Sequence, residues 1–196
     1  MEIARGIDQE EWHRLNLTDP DSKDWIRAIE IFEKRISERY IEPADKLVEF
    51  EKNLRPIEKK YGFVILAIDC MLIETFQSFY DGEKDTKGKS EEMFRRFLTQ
   101  RASFKPHFTT ILDAENFYSM YRCGILHQSE TKLGARVWSI GELIRQDGNG
   151  DLIINRTAFH NAIKIEFQSY INILKDKSII IERKNFINKM NFISRK

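Results

Sequence analysis

An excess of charge of either sign is missing from this 196-residue chain, in which 32 Lys and Arg stand against 31 Asp and Glu for a formal net charge of +1. No basic field covers the molecule as a whole, so any contact with nucleic acid has to be made locally. Cysteine is scarce too. Cys70 and Cys123 lie far apart, in apolar surroundings, and match neither a zinc spacing nor a disulfide framework. They read as reduced core thiols of a cytoplasmic protein. Apolar runs of membrane length are absent, and the N-terminal stretch MEIARGIDQEEWHR has no apolar core ahead of a cleavage site. Both secretion and a membrane span are therefore disfavoured. There is also no internal repeat and no low-complexity segment. At this length one domain, 1–196, buries enough surface to need no staple.

What the chain does have is helical periodicity. Trp25, Ile29, Phe32, Ile36 and Tyr40 recur at spacings of four and three after an Asp/Ser cap, which predicts a helix that Pro43 breaks or bends. Leu47, Phe50 and Leu54 continue a second helical stretch to Pro56. Residues 61–80 are apolar nearly all round in their first half, the signature of a central buried helix, and Asp81-Gly82 ends it. Ser90 is placed to cap a short helix carrying Met93, Phe94, Phe97 and Leu98. Residues 107–127 show a further apolar stripe. Val137, Trp138 and Ile140, then Leu152 to Ile154, flank Asp147-Gly148-Asn149-Gly150 and predict a small β-hairpin within 135–155. Phe159, Ile163, Phe167, Tyr170, Ile171 and Leu174 mark the last secure helix. Residues 1–21 read as a loose arm or a short helix, and 177–196 as a basic helix or tail. The expected fold is an all-α bundle with one small β-hairpin insertion.

Chemistry concentrates at Arg122-Cys123-Gly124-Ile125-Leu126-His127. The guanidinium of Arg122 is permanently charged and offers a fork of donors to a phosphoryl group, while the imidazole of His127 can move a proton near neutral pH. On an ideal α-helix residues five apart are separated by about 140°. The two side chains then share a face only if the helix bends, for which Gly124 is the obvious place, or they flank a groove that a second copy completes. The plain alternative is an arginine in a structural ion pair and a histidine at a helix C-terminus, where the dipole favours its charged form. In RNA cleavage the 2'-hydroxyl loses a proton as it attacks phosphorus, and the phosphorane oxygens need positive charge. His127 suits the first task and Arg122 the second, with a 2',3'-cyclic phosphate as product and no metal required.

Other positions bear on the same site. Asp69 interrupts the apolar run FVILAIDCMLIE, and a buried carboxylate is neutral or paired. Arg122 is its expected partner, with Glu74 and Glu115 in competition, and pairing would let Asp69 orient the arginine. Gln128, Ser129, Glu130, Thr131 and Lys132 form a polar run in reach of anything His127 holds: Glu130 could orient the imidazole, and Lys132 and Arg136 could contact a phosphate. It could equally be an ordinary loop. Tyr118 and Tyr121 could stack on bases, although aromatic residues at helical spacing are usually core. Asp147-Gly148-Asn149-Gly150-Asp151 offers calcium-like oxygen spacing, but Leu152 and Ala158 fill the positions that need Gly and Glu, which favours a hairpin turn. His13, His107 and His160 form no metal-ligand spacing and read as structural or exposed. Lys175, Lys177, Arg183, Lys184, Lys189, Arg195 and Lys196 make the C-terminus basic, either as a solvated surface or as a local aid to phosphate contact.

An all-helical chain with R-x4-H late in a long helix resembles the HEPN superfamily, whose motif is R-x4-6-H. The likeness extends to FEKRISERYIEP (32–43), AIDCMLIETFQSFYDG (67–82), RCGILHQSETK (122–132) and INRTAFHNAI (154–163), in the manner of uncharacterised bacterial HEPN-like proteins. The resemblance implies a metal-independent endoribonuclease without cofactor, acting on single-stranded RNA as a homodimer with two motifs face to face. Arg122 and His127 are the catalytic pair it would supply. It further implies a toxin or antiviral defence effector with a neutralising or activating protein partner, or else a catalytically silent module that binds a nucleotide or protein. The chain departs from the family in one respect: many active members carry a polar residue, often asparagine, directly after the arginine, where Cys123 stands here.

Overall fold

The computed structural model describes residues 1–195 and is mainly α-helical. In chain order it runs β1 (Glu2–Ala4), β2 (Ile7–Asp8), α1 (Gln9–His13), α2 (Asp24–Ile36), a π-helical turn (Ser37–Ile41), α3 (Glu42–Phe50), a 3-10 turn (Pro56–Glu58), α4 (Gly62–Asp81) and α5 (Ser90–Gln100). Then follow α6 (Ile111–Phe117), a second π-helical turn (Tyr118–Cys123), α7 (Gly124–Gln128), β3 (Ala135–Trp138), β4 (Ile144–Gln146), β5 (Leu152–Asn155), α8 (Arg156–Lys175) and α9 (Ile180–Ile193). Pro43 does not break the helix before it. It sits in the first turn of α3, where a missing N–H is tolerated, with the π-turn just ahead of it.

The chain divides into two compact units, the first formed by 1–43, 78–86 and the residues from Phe167 onward. Its core is aromatic. Phe32 lies 4.5 Å from Phe79, 5.4 Å from Phe186 and 5.9 Å from Tyr170, ring centre to ring centre. The N-terminal residues are no loose arm: β1 and β2 form an antiparallel hairpin, Asp8 caps α1 by accepting the Glu11 N–H at 2.9 Å, and Trp12 is buried edge-on against Phe186. Trp12 Nε1 donates to Asn191 Oδ1 at 2.8 Å. Of the basic C-terminal residues, Arg183 and Lys189 are buried in this unit, whereas Lys175, Lys177, Lys184 and Arg195 are exposed. Arg183 is buried with its guanidinium 3.6 Å from the Trp25 ring centre and donates to the Pro20 carbonyl, Lys189 donates to the Lys84 carbonyl, and Lys177 pairs with Asp21 at 2.6 Å. Lys196 lies outside the described residues.

The second unit comprises 44–77 and 87–166. Here Phe117 is fully buried, parallel to Phe159 at 5.2 Å and stacked on Tyr121 at 5.2 Å. Helix α4 is long and apolar enough to cross a membrane, yet more than half of that stretch is buried inside the protein, with Ile65, Leu66, Leu72 and Ile73 wholly covered. The expected hairpin is the antiparallel pair β4–β5, turned at Asp147–Asp151, and β3 adds a third strand that the sequence pattern put in the wrong place: Val137 pairs with Ile154 in parallel. A parallel partner needs a crossover, which residues 139–143 and the whole of β4 provide.

Truncating Phe117 removes the centre of the second unit's stack. Phe117→Ala is expected to cost about 3–5 kcal/mol in urea-induced unfolding, whereas Ile57→Ala, at a side chain 88% exposed, should change the midpoint little.

Candidate functional site

The motif helix is not a plain α-helix. A capping box starts it, Thr110 Oγ1 accepting the Asp113 N–H at 3.1 Å and Asp113 Oδ2 accepting the Thr110 N–H at 2.8 Å. After α6 the backbone opens into a π-helical turn over Tyr118–Cys123, then tightens again as α7. Arg122 stands near the end of the π-turn and His127 in α7, five residues on. Arg122 Nη1 lies 3.4 Å from His127 Nε2 within one chain, so the pair meets without a second copy.

Gly124 has a different task. The chain beyond His127 turns back through Ser129, whose φ of +56° is left-handed, and folds over the helix so that the Glu130 carbonyl oxygen sits 2.5 Å from where a Gly124 Cβ would be. The Lys132 N–H donates to the Met120 carbonyl at 3.0 Å, fastening the returning strand to the π-turn. Tyr121, fully buried, anchors the other side with its hydroxyl 2.5 Å from the Leu152 carbonyl and 3.2 Å from that of Arg136. Burial pushes its phenol far above the usual range, so it remains a neutral donor.

Around the pair stand side chains from several elements. Glu74 of α4 pairs with Arg122 Nη2 at 3.5 Å, and Ser90 donates its hydroxyl to the same Glu74 oxygen, Oε2, at 2.5 Å. Ser90 therefore does not cap α5. The Tyr118 ring lies 5.3 Å from the Arg122 guanidinium and edge-on to Phe94. Lys132 reaches back along the returning loop to donate to Ser119 Oγ at 2.8 Å. Arg122 is half-buried and His127 is exposed, so one group is held and the other is accessible. With the guanidinium donating, the lone pair of His127 Nε2 is the acceptor.

Arg122, His127, Glu74 and Tyr118 thus come together as the sequence suggests, with Lys132 on the adjoining loop. Other assignments do not hold. Asp69 does not meet Arg122: its Oδ1 lies 2.7 Å from His160 Nδ1, and both residues are buried. Asp69 and Glu74 are five apart on α4 and therefore face about 140° away from one another, so the helix sends one carboxylate to Arg122 and the other to α8. Glu115 pairs with Arg95 at 3.0 Å. Arg136 is closed onto the hairpin turn, 2.6 Å from Asp151 and 3.4 Å from Asp147, which also neutralises the calcium-like loop. The Glu130 carboxylate accepts the Thr131 N–H at 2.9 Å in place of orienting the imidazole, and Gln128 is exposed. Cys123 is half-buried, whereas Cys70 is fully buried and its thiol is held up by that burial.

Among the described residues no three His, Cys, Asp or Glu side chains gather in a way that would hold a metal ion. Comparison with protein-family models, with curated proteins and with solved structures finds no match to this chain.

Sequence reasoning missed Ser119, gave Ser90 a capping role in place of its bond to Glu74, and read His160 as structural or exposed without finding its partner Asp69. Nothing marks the serines in a sequence, but a lone His at position 160 on the apolar stripe of α8 and a lone Asp in the apolar run of α4 are each other's natural solution.

Two outcomes follow from this packing. Gly124→Ala forces the backbone of Glu130 and Thr131 outward; a loss of about 1–3 kcal/mol in thermal unfolding, with faster amide exchange at 129–133, is expected. Burial, only partly offset by His160, pushes the Asp69 carboxyl up to about 6 from the ordinary 3.8, in a cluster that also holds Asp45 and Lys164. The folded state then binds the proton more tightly than the unfolded chain, so this contribution is fully present below pH 4 and is lost as pH rises through 6. Relative to Asp69→Asn, the wild type should lose about 3 kcal/mol between pH 4 and pH 8, measured as the difference between the two urea-unfolding curves; a difference flat with pH would refute the assignment.

Proposed function

We propose that the chain is a HEPN-type endoribonuclease in which Arg122 and His127 do the chemistry. The observation that carries this reading is the 3.4 Å approach of the guanidinium to an exposed imidazole on one face of the π-modified helix. In the reaction His127 Nε2 takes the proton of the ribose 2'-hydroxyl as the 2'-oxygen bonds to phosphorus. Arg122 holds the non-bridging oxygens and balances their growing charge. The bond to the 5'-oxygen breaks, and that oxygen takes a proton from an imidazolium or from water. The products are a 2',3'-cyclic phosphate and a 5'-hydroxyl. In a homodimer with the two motifs face to face, one imidazole would act as base and the other as acid. Glu74 fixes the guanidinium in place, and Tyr118 and Lys132 offer a stacking face and a second positive charge. The toxin or antiviral role, single-stranded RNA as substrate, the controlling protein partner and the cytoplasmic setting belong to this same proposal.

A second reading has its own support. Glu74 lies 3.5 Å from Arg122 and competes with a phosphate for it, and Cys123 is a poor donor where a polar neighbour of the arginine is usual in active members. Both observations favour a silent HEPN-like module that binds a nucleotide or a protein.

Labelled single-stranded RNA incubated in EDTA with wild type, Arg122→Ala and His127→Ala separates the readings. Cleavage with cyclic-phosphate ends by the wild type, slowed about 100-fold or more by either variant, supports the nuclease, provided circular dichroism shows both variants folded. A 2'-deoxy substrate should survive. Cleavage that all three proteins share refutes the site, and saturable nucleotide binding without turnover points to the silent module.

A further inference from the structure

The second unit holds a cavity of about 470 Å³ that the Arg122/His127 cluster does not touch. Its walls are Pro56 and Ile57 from the 3-10 turn and Val137 and Trp138 from β3, and two cations, Lys59 and Arg156, line it as well. The size is that of a small-molecule site. Ile57 is 88% exposed and Trp138 is 38% exposed, so the rim presents apolar surface to water.

Charge decides what such a cavity prefers. Arg156 is buried and donates through Nη2 to Glu51 Oε2 at 2.5 Å. The other Glu51 oxygen, Oε1, accepts the backbone N–H groups of Lys60 and, at 3.0 Å, of Tyr61. The carboxylate is therefore fully engaged, while Arg156 Nη1 is buried with no acceptor. Glu51 cancels one positive charge, and Lys59 with Arg156 leaves a surplus of one beside apolar walls. Gly62 keeps this side open: a Cβ there would stand 3.0 Å from Val137 Cγ1.

We infer that this cavity binds a small organic anion with a flat apolar body. Trp138 and Ile57 cover the body, Lys59 meets the anionic end, and the buried Arg156 supplies the second positive charge behind it. A neutral molecule of the same shape gains the apolar contacts but leaves Lys59 without a partner, so it binds more weakly. The inference is independent of the nuclease reading, since no residue is shared.

The test uses the full chain with 1-anilinonaphthalene-8-sulfonate as the anionic probe and N-phenyl-1-naphthylamine, its uncharged analogue, as control. Energy transfer from tryptophan and isothermal titration should both report one saturable site for the sulfonate. A charge-assisted contact is worth enough that Lys59→Glu is expected to weaken the sulfonate about tenfold or more and leave the amine unchanged. Trp138→Ala should weaken both probes. Thermal melts of the variants matching the wild type keep unfolding out of the comparison, because neither side chain is buried. Equal affinity for the two probes, binding insensitive to both substitutions, or no saturable binding of the sulfonate would each overturn the inference.

Discussion

The approach of Arg122 to His127, 3.4 Å apart where the π-turn over Tyr118–Cys123 passes into α7, is the interaction on which the candidate site depends. The Met120 carbonyl, inside that π-turn, accepts from the Lys132 N–H, so the segment that carries Arg122 also gives the following loop its anchor. Tyr121 holds the far side by its buried ring and its hydroxyl. The π-turn, the loop and the strand-side anchor form one mechanical unit, and Gly124 is the contact point at which they touch.

Two kinds of polar burial share α4. Glu74 is half-buried and oriented by the Ser90 hydroxyl and by Arg122. Asp69, five residues earlier, faces the interior and is matched with a single imidazole. The helix thus sends one carboxylate to Arg122 and the other to His160 by rotation alone. The Glu51–Arg156 pair is a third solution, in which one carboxylate gathers a guanidinium and two backbone donors and so fixes the entry to α4. Removing one partner from either of the two buried pairs, Asp69–His160 or Glu51–Arg156, costs more than the pair contributes, because the other is left buried and unsatisfied.

Much of this could be read from the sequence, and the failures share a cause. The stripes Trp25–Ile29–Phe32–Ile36 and Phe159–Ile163–Phe167 announce α2 and α8, because apolar period reports burial directly. The DGNG turn announces β4–β5. The π-turns leave no clear mark in that period, since one wide turn shifts the stripe by a single residue, and side-chain reach has no sequence signal, so the relation of Arg122 to His127 stayed open between a bend and a second copy. The partner of Asp69 was misjudged because pairing depends on which way a helix faces, not on which charges are near in composition. The partners of Arg136, Arg183 and Lys189 were not foreseen because sequence shows a charge and not the carboxylate, carbonyl or ring that meets it. Trp12 shows the same limit for an isolated apolar residue, which has no period to reveal its burial.

The Asp69–His160 contact joins positions 91 residues apart, and Glu51–Arg156 joins positions 105 apart. During synthesis at about 5–20 residues per second, the carboxylate of Asp69 therefore waits roughly 5–18 s for its imidazole. Through that interval α4 has emerged with its most apolar face uncovered and its interior acid unmatched. Burying that acid before its imidazole is available costs free energy, so the pair ties the burial of α4 to the arrival of α8.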